Sequence, residues 1–140
     1  MKRREFLEKA GCGAAGLAVL PGAAAAAQGE GKDVVMRRFD IDIEVYEVGP
    51  KTRCHKKGEN FKYPQDTGKI CTWLMSALDP VCTALKAGAV LPWKYAGTPY
   101  EKVIDLDGVT TEYIRCPDPS QAGIVVKITR TFKDKRTIKV

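Results

Sequence analysis

The chain has one histidine, His55, and no Cys-x-x-Cys pair. It also lacks a glycine-rich phosphate loop, a nucleophile elbow, a His-Glu zinc helix and paired catalytic carboxylates. Those absences remove the common hydrolase, nucleotide-binding and metalloprotease constellations. Without paired cysteine knuckles, a metal site would have to be assembled from distant loops. No internal repeat is present, and beyond residue 27 no apolar run approaches the roughly 20 residues of a spanning helix. The 23 Lys and Arg against 17 Asp and Glu leave a formal charge of +6. That is mildly basic and without the dense cationic face of a nucleic-acid binder, so no nucleic-acid partner is expected.

What is present begins with an address. Met1–Ala10 is a charged segment ahead of an Ala/Gly-rich stretch to Ala27. Arg3, Arg4, Phe6 and Leu7 resemble the twin-arginine export signal, and the alanine run 23–27 offers an A-x-A cleavage site. Gly11, Gly13, Gly16, Pro21 and Gly22 make the stretch a poor membrane anchor. Cys12 precedes the apolar part and would be lost with it. The expectation is export to the periplasm or the extracellular space, with residues 1–27 as signal, 28–38 as linker and 39–140 as one domain. No stable membrane span is expected after cleavage. The twin-arginine pathway moves folded proteins, often with a cofactor or partner, so a metal or a larger exported complex comes into view. Removing the signal's four basic and two acidic residues lowers the charge to +4. About 113 residues then remain, one modest core for which cross-links or a homo-oligomer would help. The basic residues gather at 51–57 and in the tail 127–139. They read as solvated loops and strand faces, with an acidic partner as the sharper alternative.

Cys71–Gly88 carries the only long helical pattern. Leu74, Met75, Leu78, Cys82 and Leu85 recur at three- and four-residue steps, the spacing of one apolar stripe. Gly88 suits the C′ position and Lys86 the last turn. Asp79-Pro80 interrupts the run, predicting two short helices, about 72–78 and 80–87, or one kinked helix. The eleven residues from Cys71 to Cys82 span roughly 16 Å on a straight helix, beyond the roughly 7 Å that a disulfide allows between Cα atoms. An exported domain with Cys54, Cys71, Cys82 and Cys116 then leaves two pairings open: 54–71 with 82–116, or 54–82 with 71–116.

Around that centre the chain reads as strands. Phe39, Ile41, Ile43 and Val45 alternate with Asp40, Asp42, Glu44 and Tyr46 until Gly49-Pro50. A turn at Gly58-Glu59 leads to a short strand at 60–63. Lys102–Leu106 and Val109–Arg115 flank Asp107-Gly108, a hairpin signal. Cys116-Pro-Asp-Pro119 ends the second arm, and Gly123–Arg130 is a last strand that the basic tail extends. The expected class is α+β, a small mostly antiparallel sheet with a central helical pair packed on one face.

These elements resemble a family of small, functionally uncharacterised Cys-Pro-Asp-Pro-containing proteins known mainly by a family number. The resemblance rests on Ile41–Val48, Cys54, Gly58-Glu59-Asn60-Phe61, Gly68-Lys-Ile-Cys71, Pro80, Gly88, Pro92-Trp93, Cys116-Pro-Asp-Pro119 and Ile124–Arg130, and covers about residues 40–131. Cys82 and the Asp107-Gly108 turn depart from the pattern. The resemblance implies a fold and supplies no reaction.

The cysteines admit three roles: structural disulfides, buried thiols, or a zinc or iron–sulfur site built on Cys54, Cys71, Cys116 and Cys82. Cys71, at a helix start, would gain reactivity from the backbone amides and dipole. The bland reading of His55 is an exposed loop residue. His55, Asp118 and Trp93 are the candidates for surrounding groups. Trp73, Trp93, Tyr95 and Tyr100 read as packing residues. The function expected first is a binding or accessory module of a larger exported complex, leaning away from an enzyme. A small thiol- or metal-dependent redox protein is the alternative.

Overall fold

The computed structural model describes residues 31–140. The twin-arginine motif, its cleavage site and Cys12 lie outside the described residues. Strands β1 (Asp33–Val48), β2 (Asn60–Tyr63), β3 (Val109–Arg115) and β4 (Ile124–Lys139) surround one helix in the chain order, α1 (Thr72–Lys86). They form a four-stranded antiparallel sheet in the order β2-β1-β4-β3. The class is α+β.

The alternation along β1 does what it predicts. Phe39, Ile41, Ile43 and Val45 are buried, and their register partners on β4 are Phe132, Arg130, Ile128 and Val126. Residues directly opposite in a sheet share a face, so these side chains form the floor onto which α1 packs. The helix buries Leu74, Leu78, Cys82 and Leu85 against that floor. Each such aliphatic side chain contributes about 1.5–3 kcal/mol relative to exposure. The opposite face carries Asp42, Glu44, Lys127 and Thr129. It is covered only at one end, where Tyr46, Tyr100 and Tyr113 meet edge to face with centroids 5.1–6.3 Å apart.

Three expectations are corrected. The helical pair is a single helix running through Pro80. Pro80 and Ser76 both lie on the exposed side, so the carbonyl that loses its donor can turn to water. Gly88, at φ +95°, closes the helix in the left-handed conformation that glycine accepts without a Cβ penalty.

The segment 33–38 is strand rather than linker. It pairs with β4 from Asp33↔Lys139 to Arg38↔Asp134. Because β2 reaches only Ile41–Glu44 and β3 only Val125–Thr131, this half of β1 and β4 continues as a two-stranded ribbon.

The chain bends at Asp107-Gly108 without the positive φ of a two-residue hairpin turn, and Lys102–Leu106 is irregular. It runs beside β3 with the Val103 carbonyl accepting from Thr111 N–H at 2.9 Å. Elsewhere threonine hydroxyls replace the ladder. Thr111 Oγ1 accepts from Val103 N–H, and Thr110 Oγ1 donates to the Asp105 carbonyl, both at 2.9 Å. Side chains that bond the backbone compete with regular pairing.

Candidate thiol site

The hairpin β1–β2 and the start of α1 bring the site together. Cys71 is the N-cap residue of α1, and its side chain makes no capping hydrogen bond. Its thiol therefore stays free at the helix start. Its backbone N–H, one of the donors a helix start leaves over, goes instead to His55 Nε2 at 3.0 Å. The other ring nitrogen, Nδ1, lies 2.9 Å from Glu59 Oε2. The geometry fits a neutral imidazole that donates from Nδ1 to the carboxylate and accepts at Nε2. The ring meets Phe61 edge-on at 5.4 Å. Its side chain is only 6% exposed, so the exposed-loop reading of His55 is corrected: the ring plugs the gap between β2 and the helix start.

Cys116 follows β3, and its backbone N–H bonds the Ile124 carbonyl at 2.8 Å. It is buried in the main core, and Cys71 packs against that same core. Cys54 is exposed as a residue, yet its thiol is pushed up from its ordinary value. Partial loss of water is the first cause, and charge on Cys71 and, more weakly, on Cys116 adds to it. A negative charge on Cys71, and more weakly on Cys116, therefore opposes a charge on Cys54.

Cys82 does not join them. It is fully buried under the middle of α1. Burial first, then the nearby Asp79, pushes its thiol up to about 12. All four are free thiols, so neither of the two expected pairings is formed.

The surrounding groups divide in the same way. Asp118 accepts hydrogen bonds from Ser120, which holds its carboxyl below the usual range. It ties its own Cys-Pro-Asp-Pro turn rather than facing a sulfur. Trp93 is exposed on the coil after α1. Glu59 was missed from the sequence. The only signal for it was a carboxylate four residues after the lone histidine.

Cys54, Cys71, Cys116 and His55 would be a Cys₃His set by composition. Both His55 nitrogens are already engaged, and among the described residues no three His, Cys, Asp or Glu side chains converge closely enough to hold a metal ion. The arrangement fits thiol chemistry better than ligation. A separate cleft of about 260 Å³, lined by Tyr95, Tyr100, Tyr113 and Arg115, lies against the tyrosine cluster and takes in none of the cysteines.

Among the described residues no helix is long and apolar enough to cross a membrane. Compared with protein families, curated proteins and solved structures, the chain matches none.

Proposed function

We propose that this chain is an exported accessory module, delivered by its twin-arginine-type segment, whose working centre is a thiol pair formed by Cys71 and Cys54 with Cys116 behind them. What supports this reading is that charge on Cys71, and more weakly on Cys116, opposes charge on Cys54, while the His55–Glu59 pair holds the Cys71 N–H at the start of α1. In the oxidising direction two thiols give one disulfide, two protons and two electrons. The electrons pass to the disulfide of a partner thiol–disulfide oxidoreductase, which becomes a dithiol. His55 and Glu59 are positioning residues in this scheme.

The exposed apolar residues of the coil after α1 favour the accessory role. Leu91, Trp93, Tyr95, Val103 and Leu106 stand in solvent there, as does Trp73 on α1 close to Cys71. Scattered singly they would be ordinary; gathered on one coil they mark a surface for a larger partner.

Thiol counting under mild oxidation with a disulfide reagent tests the reading. The folded protein is expected to lose two reactive thiols and keep Cys82. Cys71→Ser and Cys54→Ser should abolish that loss, and Cys82→Ser should leave it intact. Four thiols surviving oxidation, or Cys71 labelling no faster than Cys82, would sink the proposal. A further expectation concerns positioning. His55→Ala leaves the Cys71 N–H without its acceptor, so the labelling rate of Cys71 should change severalfold while that of Cys82 holds; equal changes at both would mean general loosening instead.

A further inference from the structure

We infer that the open edge of β1 from Asp33 to Phe39 is a self-association surface, on which two copies of this chain pair antiparallel about Val35 into one continuous sheet. The ribbon has two outer edges, and they are built differently. The β4 edge carries Lys133, Asp134, Lys135, Arg136 and Lys139, with a register shift opposite Arg38/Phe39. Charge and irregularity are the usual guards against edge pairing. The β1 edge carries fewer charges, Asp33, Arg37 and Arg38, and between them presents Val34, Val35 and Met36, exposed by 44%, 58% and 50%.

Backbone direction fixes which groups are offered. Val45 N–H bonds Glu59 O, and Val45 O accepts from Gly58 N–H, both at 2.9 Å on the β2 side. Strand alternation carries that direction to every second residue. The N–H and C=O groups of Asp33, Val35 and Arg37 therefore face the open edge. A two-fold axis normal to the sheet sets two such edges together and pairs odd residues with odd ones. Centred on Val35, it places Val35 against Val35, Val34 against Met36, and Asp33 against Arg37 of the second copy.

The surroundings complement that register. A slot of about 420 Å³ runs beside Met36–Asp40, with Gln65 from the end of β2 and Lys86 from the end of α1. Its charged lining is Arg37, Arg38, Lys86, Lys133 and Asp40; Arg37 already pairs with Asp107, Arg38 with Asp134 and Lys133 with Asp40. In the register above the incoming Asp33 brings its carboxylate beside Arg37, on the rim of this slot. Pairing that began from the β4 edge would bring Lys and Arg mostly against their like.

Light-scattering mass of the full chain at micromolar concentration is expected to correspond to two copies. Val35→Lys places two ammonium groups face to face at the axis and should return the mass to one copy. Val35→Pro should do the same while sparing the β1–β4 ladder, because the lost N–H faces outward. Val35→Cys should cross-link two copies under mild oxidant well beyond the parent chain, whereas Thr137→Cys, on the guarded strand, should not. Slow labelling of Cys82 verifies that each variant is folded. A one-copy parent, whether because residues before Gly31 or another protein take the edge, overturns the inference. So does a two-copy mass that survives Val35→Lys, or equal cross-linking from both cysteine variants.

Discussion

Replacing Glu112 with alanine is expected to cost about 3–5 kcal/mol, a large share of the stability of so small a domain. Glu112 lies on the core face of β3, and its side chain is 5% exposed; that of its partner Lys102 is 1% exposed, with Nζ and Oε2 2.6 Å apart. Lys102 has few other means of satisfying its charge there. The Leu91 carbonyl is 3.5 Å away, and the Tyr95 ring centroid lies 5.0 Å from the ammonium. Glu112 also accepts the Tyr113 N–H through its other oxygen at 2.9 Å. Removing the carboxylate strands one buried cation and one backbone donor together. Attraction within such a pair roughly balances the desolvation of its members, so breaking the pair costs far more than replacing it. The double variant Lys102→Met with Glu112→Leu is therefore expected to recover most of the loss. Denaturant unfolding of the single and the double variant against the parent chain decides the matter. Equal losses for the single and double variants would mean that the pair contributes its charge rather than merely avoiding an orphan.

That ion pair also shows why parts of the fold were not legible in the sequence. Glu112 alternates as an ordinary strand residue, and nothing near it announces a buried lysine ten positions earlier. The largely exposed coil from Gly88 to Leu106 is tied to the sheet by the buried Lys102–Glu112 pair and by Arg130, which donates to the Ala89 carbonyl at 3.3 Å. Local pattern was sufficient where one face decides the element. The β1 alternation, the apolar stripe from Leu74 to Leu85 and the glycine after Lys86 all read correctly. It was insufficient where long-range pairing decides. Asp33–Arg38 resembles a polar linker until Asp134–Lys139 is laid beside it. Lys102–Leu106 resembles a hairpin arm until the hydroxyls of Thr110 and Thr111 take its bonds. Pro80 reads as a break because proline costs a helix one donor, yet its place on the exposed side leaves the buried stripe unbroken.

The site divides along the same line. Cys71 at the start of α1 and Cys116 after β3 both reach the one buried core, while Cys54 lies on an exposed loop. The isolation of Cys82 follows from its place in the middle of the apolar stripe, opposite the sheet. His55 was read as a loop residue because its two partners, the Cys71 amide and Glu59, come from different elements. Only the closed fold makes its ring a buried brace.

Truncating Leu78 to alanine is expected to cost about 2–5 kcal/mol, since its side chain is fully buried where α1 crosses the sheet. Cys82, one turn further along, supplies an internal reporter for that loss. Its thiol is buried, and its raised value of about 12 leaves little reactive thiolate near neutral pH. Labelling must therefore proceed through opened molecules, whose population rises tenfold for each 1.4 kcal/mol lost. The Cys82 labelling rate should then rise by roughly thirty-fold to several thousand-fold in Leu78→Ala. Cys54, already exposed, should label at nearly the parent rate until the domain is substantially unfolded. A variant in which Cys54 and Cys82 accelerate alike, with no loss in denaturant midpoint, would show that the helix is held by the thiol cluster at its start and not by its apolar stripe. Burial of Leu74, Leu78, Cys82 and Leu85 in one continuous core argues for the stripe.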